Sequence, residues 1–308
     1  MSESLYSLQR KITSAQDLQG VVRTMKAMAA ANIGQYEQSV RALADYDRTV
    51  LMGLGLCLHG PQAIASLTPP LAPWLIPSPA RQGTHKIGAI VFGSDQGLVG
   101  RFNDVVAEYA IETLAALPGT PQVWAVGERV HMRLTDAGLN VVDQYAVPNA
   151  VEGIAQLVAQ IQIDTDAHRE HLGYKPIYVF HNQPRPGSLY EPTSQRLLPL
   201  DATWMKNLGA QPWPTKVLPQ VMGSGTTTLR ALIREYLFIS LFRACAESLA
   251  SENASRLAAM ERADKNIKEL LESMHSTLHR QRQDAIDEEL FDVTSGYEAL
   301  SSTSTRQG

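Results

Sequence analysis

Three groups of residues have the types and spacing for chemistry. The first is the loop Gly93-Ser94-Asp95-Gln96-Gly97-Leu98-Val99-Gly100-Arg101. It sits between an apolar strand pattern and a helix pattern, where phosphate-binding loops sit. Its spacing fits neither standard phosphate motif. A P-loop needs Gly, four residues and then Gly-Lys-Ser/Thr, and the lysine is missing. A dinucleotide fingerprint needs G-x-G-x-x-G, and these glycines fall at 93, 97 and 100. The better reading is a tight strand-to-helix turn, with Ser94 or Asp95 capping the helix that follows. The second group is the histidines. His275 and His279 are four apart, as HSTLH, without the glutamate of HExxH and without an evident third ligand; His168 and His171 share that weakness. The third is the acidic cluster Asp284, Asp287, Glu288, Glu289 and Asp292, on a helix with no pocket expected around it. The histidine pairs read as solvated residues of amphipathic helices, and the acidic cluster as a solvated or partner-facing helix surface. No Gly-x-Ser-x-Gly elbow occurs. The chain is therefore expected to carry no catalytic residue, no cofactor and no metal.

The elements around these residues are better defined. From Thr226 to Ser295 there is no glycine or proline, although the chain holds 21 Gly and 17 Pro in 308 residues. A stretch of seventy residues would carry about nine of these breakers at that density, so the run predicts one long helix. A helix of that length would span about 105 Å. Leu257, Met260, Asp264, Ile267, Leu271, Met274, Leu278, Gln281 and Ala285 alternate spacings of three and four, the seam of a left-handed coiled coil. The other long amphipathic helix is residues 3 to about 58. Its stripe is Leu5, Leu8, Ile12, Ala15, Gln19, Val22, Lys26 and Ala29, thickened by Leu18, Val21, Met25 and Met28.

Between the two lies an alternation of strand and helix patterns. Strands are expected at 86–92, 122–127, 140–145 and 175–181, with 195–200 as an edge strand. Helices are expected at 98–117, 128–137 and 150–170. Strands separated by helices predict a small, mainly parallel, Rossmann-like α/β domain. The fold class is thus α/β: a long antiparallel two-helix coiled coil made by both chain termini, plus that domain. The expected divisions are an N-terminal shaft helix (1–59), a proline-rich linker (60–83), an α/β foot (84–205), a second linker (206–221), a C-terminal shaft helix (222–300) and a polar tail (301–308).

Composition narrows the function classes. With 27 Lys and Arg against 31 Asp and Glu, the net charge of −4 argues against nonspecific nucleic-acid binding. No apolar run approaches the roughly 20 residues of a membrane span. The opening MSESLYSLQRK reads as neither a secretory signal nor a transit peptide. Cys57 and Cys245 make no disulfide framework and read as packing residues of a protein in a reducing compartment.

Three segments carry a family resemblance. KITSAQDLQGVVRTMKAMAAANI (11–33), SDQGLVGRFN (94–103) and ENASRLAAMERADKNIKELL (252–271), the last continuing to HRQRQDAIDEELFDVTSG (279–296), resemble the gamma-subunit family of F-type ATP synthases, the central rotor shaft. In the terminal helix the matching positions are Glu252, Asn253, Ala254, Arg256, Leu257, Ala259, Met260, Asn266, Arg282, Gln283, Ile286 and Glu289. Gln96 and Val99 stand where that family usually has Arg and Cys, and Asp287 and Glu288 also depart from its pattern, marking a divergent bacterial version.

The resemblance implies a non-catalytic subunit that transmits torque between an ion-driven membrane c-ring and catalytic beta subunits. The implied partners are the alpha and beta subunits, epsilon and the c-ring, at the cytoplasmic face of a bacterial inner membrane; proton and sodium both stay open as the coupling ion. It also implies that Arg282 and Gln283 meet a catch loop on beta, with Met25 and Lys26 on the facing helix, while Leu257, Met260, Ile267, Leu271, Met274 and Leu278 form the shaft seam. The rival readings are a static coiled-coil scaffold, or a nucleotide-binding α/β protein with a helical shaft.

Overall fold

The computed structural model describes residues 5–58, 86–172, 176–210, 213, 215–217 and 225–304. The proline-rich segment 60–83 and the last four residues fall outside them. Two helices frame the chain: α1, Leu5–Cys57, and α6, Gly225–Ser304. Between them run β1 (Lys86–Phe92), α2 (Phe102–Ala115), β2 (Thr120–Val126), α3 (Glu128–Asp136), β3 (Asn140–Tyr145), α4 (Val151–Leu172), β4 (Ile177–Arg185), β5 (Ser188–Leu198) and α5 (Ala202–Gly209). The chain divides into two compact units, one of residues 1–28 and 257–308 and one of residues 29–256.

The larger unit holds a five-stranded sheet in the order β3-β2-β1-β4-β5. β1 pairs in parallel with β2 and β4, β2 pairs in parallel with β3, and β4 pairs antiparallel with β5. Alternation along β1 divides the core between the two faces. Ile87, Ala89 and Val91 pack with Val106, Ala110 and Leu114 of α2 and Val130 and Leu134 of α3. Ile90 and Phe92 point the other way, toward α4, α5 and the inner parts of α1 and α6. A strand buried on both faces must be apolar throughout, which is why KIGAIVF was legible as one.

Three details depart from the sequence reading. Residues 98–101 are not helical: Leu98 and Gly100 take left-handed φ values of 63° and 59°, so α2 starts at Phe102. The edge strand is longer and earlier than 195–200, because the hairpin with β4 begins at Arg185↔Ser188 and carries its pairing back to there. The expected second linker begins inside a helix. Asp201 caps α5 by accepting from Trp204 N at 2.8 Å, and Met205 and Leu208 are buried one turn apart.

Glycines let α5 and the end of α1 touch. A Cβ on Gly55 would lie 2.9 Å from Leu208 O, and one on Gly209 would lie 3.0 Å from Leu58 O. Close backbone approach is what glycine permits in a helix that otherwise disfavours it.

The smaller unit pairs the start of α1 with the C-terminal part of α6, antiparallel: Lys26 meets Glu261, and Arg23 and Gln19 meet Asp264. Leu8, Ile12 and Val22 pack with Met260, Ile267 and Leu271. The expected stripe from Leu5 to Ala29 is buried or half-buried throughout. Its expected thickening holds only at Met25, for Leu18, Val21 and Met28 remain exposed. Two helices in one pair need only a narrow seam, so the flanking apolar positions are left over.

Candidate functional site

The sheet order runs as in dinucleotide-binding folds, whose ligands sit at the carboxyl ends of the strands where the order reverses. Here that point lies between β1 and β4, and the Gly93–Arg101 loop leaves it. The loop's polar groups are spent inside the protein. Ser94 is fully buried; its N donates to Asn103 Oδ1 at 2.9 Å, its Oγ donates to Gln96 O at 2.9 Å and accepts from Asn103 Nδ2 at 2.8 Å. Asp95 accepts from Glu128 N at 2.9 Å and from Val147 N at 2.8 Å. It therefore caps α3 and ties down the loop after β3, while the expected cap on its own helix is absent: Arg101 precedes α2 with no side-chain cap bond. Gly93 and Gly127 make this possible. A Cβ on Gly93 would fall 2.4 Å from Val130 Cβ, and Gly127, at φ 111°, crosses within reach of the Ser94 backbone.

Helix α6 bonds to the same region. Ser255 Oγ donates to Val99 O at 2.5 Å, and Ser251 Oγ donates to Asn182 O at 3.0 Å. Asn182 Nδ2 in turn donates to Phe102 O at 2.9 Å. The loop and β4 are thus tied to this chain's own helix. Nearby, His181 Nε2 of β4 lies 2.9 Å from Glu247 Oε2. Glu252 and Arg256 pair at 2.5 Å along the helix, and burial pushes the Glu252 carboxyl up despite the guanidinium. Asn253 accepts from Asn32 Nδ2 of α1 and donates to Leu249 O. Buried polar groups of this kind are costly unless matched, so they hold one register of α6 against β4, the loop and α1.

In the smaller unit, Met260, Ile267 and Leu271 of the expected seam are buried, and Met274 and Leu278 are packed against them half-buried. Leu257 is half-buried and lies outside that cluster. Asp264 interrupts the seam, accepting from Gln19 Nε2 at 3.1 Å and Arg23 Nε at 3.3 Å. A polar pair at a seam position sets register at some cost in stability.

The four expected partner-contact residues do not gather at one place. Met25 packs into the seam and Lys26 pairs with Glu261 at 3.3 Å. Arg282 and Gln283 are exposed, and among the described residues no hydrogen bond or ion pair holds either side chain. They lie twenty-one residues beyond Glu261, about 30 Å along the helix. The structure adds neighbours that the heptad seam did not single out. Ile286, Leu290 and Val293 are 63%, 62% and 70% exposed and spaced four and three. At 100° per residue they share a helix face with Arg282 and Gln283, flanking the Leu278–Gln281–Ala285 seam on one side. The acidic residues 284, 287, 288 and 292 lie outside that face.

Among the described residues no three His, Cys, Asp or Glu side chains gather as metal ligands, and no helix is long and apolar enough to cross a membrane. His275 and His279 sit on α6 in the smaller unit, and the side chains of His168 and His171 fall outside the described residues.

Comparison with known proteins agrees with this geometry. The ATP synthase gamma chain of Rhizorhabdus wittichii is 27% identical over 308 residues, covering 96% of this chain and 99% of the relative. That of Pelotomaculum thermopropionicum is 25% identical over 301 residues, with the same coverage. Among solved structures, the rotor of the Euglena gracilis mitochondrial ATP synthase in rotational state 1 superposes with a TM-score of 0.58 at 16% identity, over 92% of this chain and 98% of that one. A chain of the OSCP/F1/c-ring assembly of the same enzyme gives 0.62 at 14% identity, over 96% and 94%. The sequence profile of the family described as ATP synthase matches residues 4–300, nearly the whole length, and with relatives that are gamma chains end to end, this chain belongs to the ATP synthase gamma-chain family.

Proposed function

We infer that this chain works as the central-stalk subunit of a rotary F-type ATP synthase, without a catalytic site of its own. The observation that carries this is the family match across residues 4–300. Its partners are the alpha–beta hexamer and the c-ring; epsilon joins them on the larger unit. The protein is peripheral to the membrane, and we assign it to the cytoplasmic face of a bacterial inner membrane.

The mechanism is one of differential contact. Shaft angle biases each beta subunit between open and closed states, and nucleotide binding biases the shaft in return, by the reciprocity of linked equilibria. The uncovered face of α6 suits this role. Ile286, Leu290 and Val293 offer apolar surface to a sleeve, while Arg282 and Gln283 offer donors to an acidic loop. The spent polar groups of the Gly93–Arg101 loop support a non-catalytic part over a nucleotide-binding one.

Reconstitution with alpha and beta subunits tests the reading. ATP hydrolysis by alpha and beta should rise at least tenfold when the chain is added, and the chain should co-migrate with them at one copy per hexamer. Equal hydrolysis with and without it would sink the proposal. For the catch, the Arg282→Ala/Gln283→Ala double variant in matched membrane vesicles should lower ATP synthesis more than complex content. Unchanged synthesis would remove both residues from the contact.

A further inference from the structure

The larger unit contains a cavity of about 310 Å³ that the rotor role does not use. The sheet supplies one wall with Ile90, Ile177, Leu197 and Leu198; α6 supplies another with Leu237 and Leu241. These six side chains are buried, so the floor of the cavity is apolar, while its other side opens to the surface. Protein interiors pack to crystal density and leave few voids, and 310 Å³ is at the lower bound of small-ligand pockets. Its volume is that of about ten water molecules, yet the walls offer water few partners.

The mouth lies between α4 and α6, with Ile163 at its edge, 63% exposed. Its polar groups differ in availability. Thr165 Oγ1 donates to Ile161 O at 2.7 Å, and Gln162 Nε2 donates to Arg234 O at 3.3 Å. Asp166 also lines the cavity and has a partner of its own. Arg234, an exposed residue of α6, lines the mouth and forms no ion pair among the described residues. One uncommitted cation at the rim of an apolar chamber is complementary to an anionic head on an apolar tail.

We propose that this cavity binds a single-chain anionic amphiphile, such as a medium-chain carboxylate, with its tail among Ile90, Leu198, Leu237 and Leu241 and its head at Arg234. The site lies within one unit of the chain and is independent of the rotor assignment.

Titration of the purified full-length chain with decanoate, below its own micelle concentration, tests this by calorimetry, with decanol as the uncharged control. Saturable one-to-one binding is expected. Ile163→Trp, a substitution at the exposed mouth, should weaken binding of both compounds at least tenfold. Arg234→Gln should weaken decanoate about tenfold and leave decanol within twofold. Thermal unfolding of each variant checks that both remain folded. Absence of saturable binding would overturn the proposal, as would wild-type affinity in Ile163→Trp. Equal loss of decanoate and decanol in Arg234→Gln would overturn the role of the cation. Capture of anionic phosphatidylglycerol vesicles without uptake of free decanoate would show a charged surface instead of a chamber, and would also overturn it.

Discussion

At the scale of single residues, Asp95 does more than its place in a glycine-rich loop suggests. One carboxylate receives the first N–H of α3 and the N–H of Val147, so it joins three connections at the ends of three strands. Hydrogen bonds to a charged acceptor contribute about 1.5–3 kcal/mol each. Asp95→Ala should therefore cost about 2–4 kcal/mol in urea unfolding of the chain, and Asp95→Asn less, since one acceptor survives. A loss under 0.5 kcal/mol for the alanine variant would show that water replaces the carboxylate. Glu252 makes a pH-dependent contribution. Burial raises its folded-state pKa above the ordinary value of 4.5, with Arg256 opposing. A carboxyl raised in the folded state contributes stability that is fully present below the unfolded pKa and is lost as pH rises through the folded one. Stability measured upward from pH 4 should carry that loss in the wild type, and Glu252→Gln should flatten the curve over the same interval. The cysteines fit the same pattern of burial. Cys245 is enclosed in the main core and its thiol is pushed up by desolvation; the half-buried Cys57 is raised for the same reason. Thiol reagents at pH 8 should label Cys57 slowly and Cys245 only on unfolding, since the thiolate is the reactive form.

At the scale of elements, the glycines of α1 divide into two kinds. Gly20 and Gly34 have nothing within 4 Å of a would-be Cβ, so alanine there should stabilise the helix by about 1 kcal/mol each. Gly55 faces the Leu208 carbonyl at 2.9 Å. Gly55→Ala should destabilise by about 1–3 kcal/mol, because backbone cannot give way as a side chain can. Thermal melts of the three single variants check the contrast, and a stabilised Gly55→Ala would mean that α5 is not held against α1. The polar belt of α6 acts at this scale as well. Ser251, Asn253 and Ser255 each bond to a different neighbour, so a shift of α6 by one residue would break all three at once.

At the scale of the whole protein and its assembly, the uncovered face of α6 separates folding from function. Ile286 and Leu290 are more than half exposed, and exposed positions contribute within about 0.5 kcal/mol to the stability of the isolated chain. Ile286→Ser/Leu290→Ser should leave the urea midpoint of the free chain unchanged. The same variant should reduce recovery of the complex with alpha and beta subunits several-fold. Equal recovery would mean that this face stays in solvent in the complex, and the apolar stripe would then need another partner.

Much of this protein was legible from its residues alone. The long helices follow from absent breakers and a three-four stripe, both local properties that any packing partner must accept. The buried stripe of α1 was readable position by position, and β1 was readable because a strand covered on both faces has no polar positions to disguise it. The segments resembling known gamma chains were readable for the same reason, as fixed spacings along one helix or loop. What the sequence could not settle depended on who lies opposite whom. Leu18, Val21 and Met28 look as apolar as their neighbours, and only the width of the two-helix seam leaves them exposed. Asp95 looked like a cap for the next helix, yet its carboxylate reaches across to a helix 33 residues away. Met25 and Lys26 could be grouped with Arg282 and Gln283 on paper, but the antiparallel register places Lys26 opposite Glu261. Local patterns report the period of an element; register, reach and the contents of a crevice are set by distant segments meeting, and these only tertiary structure decides.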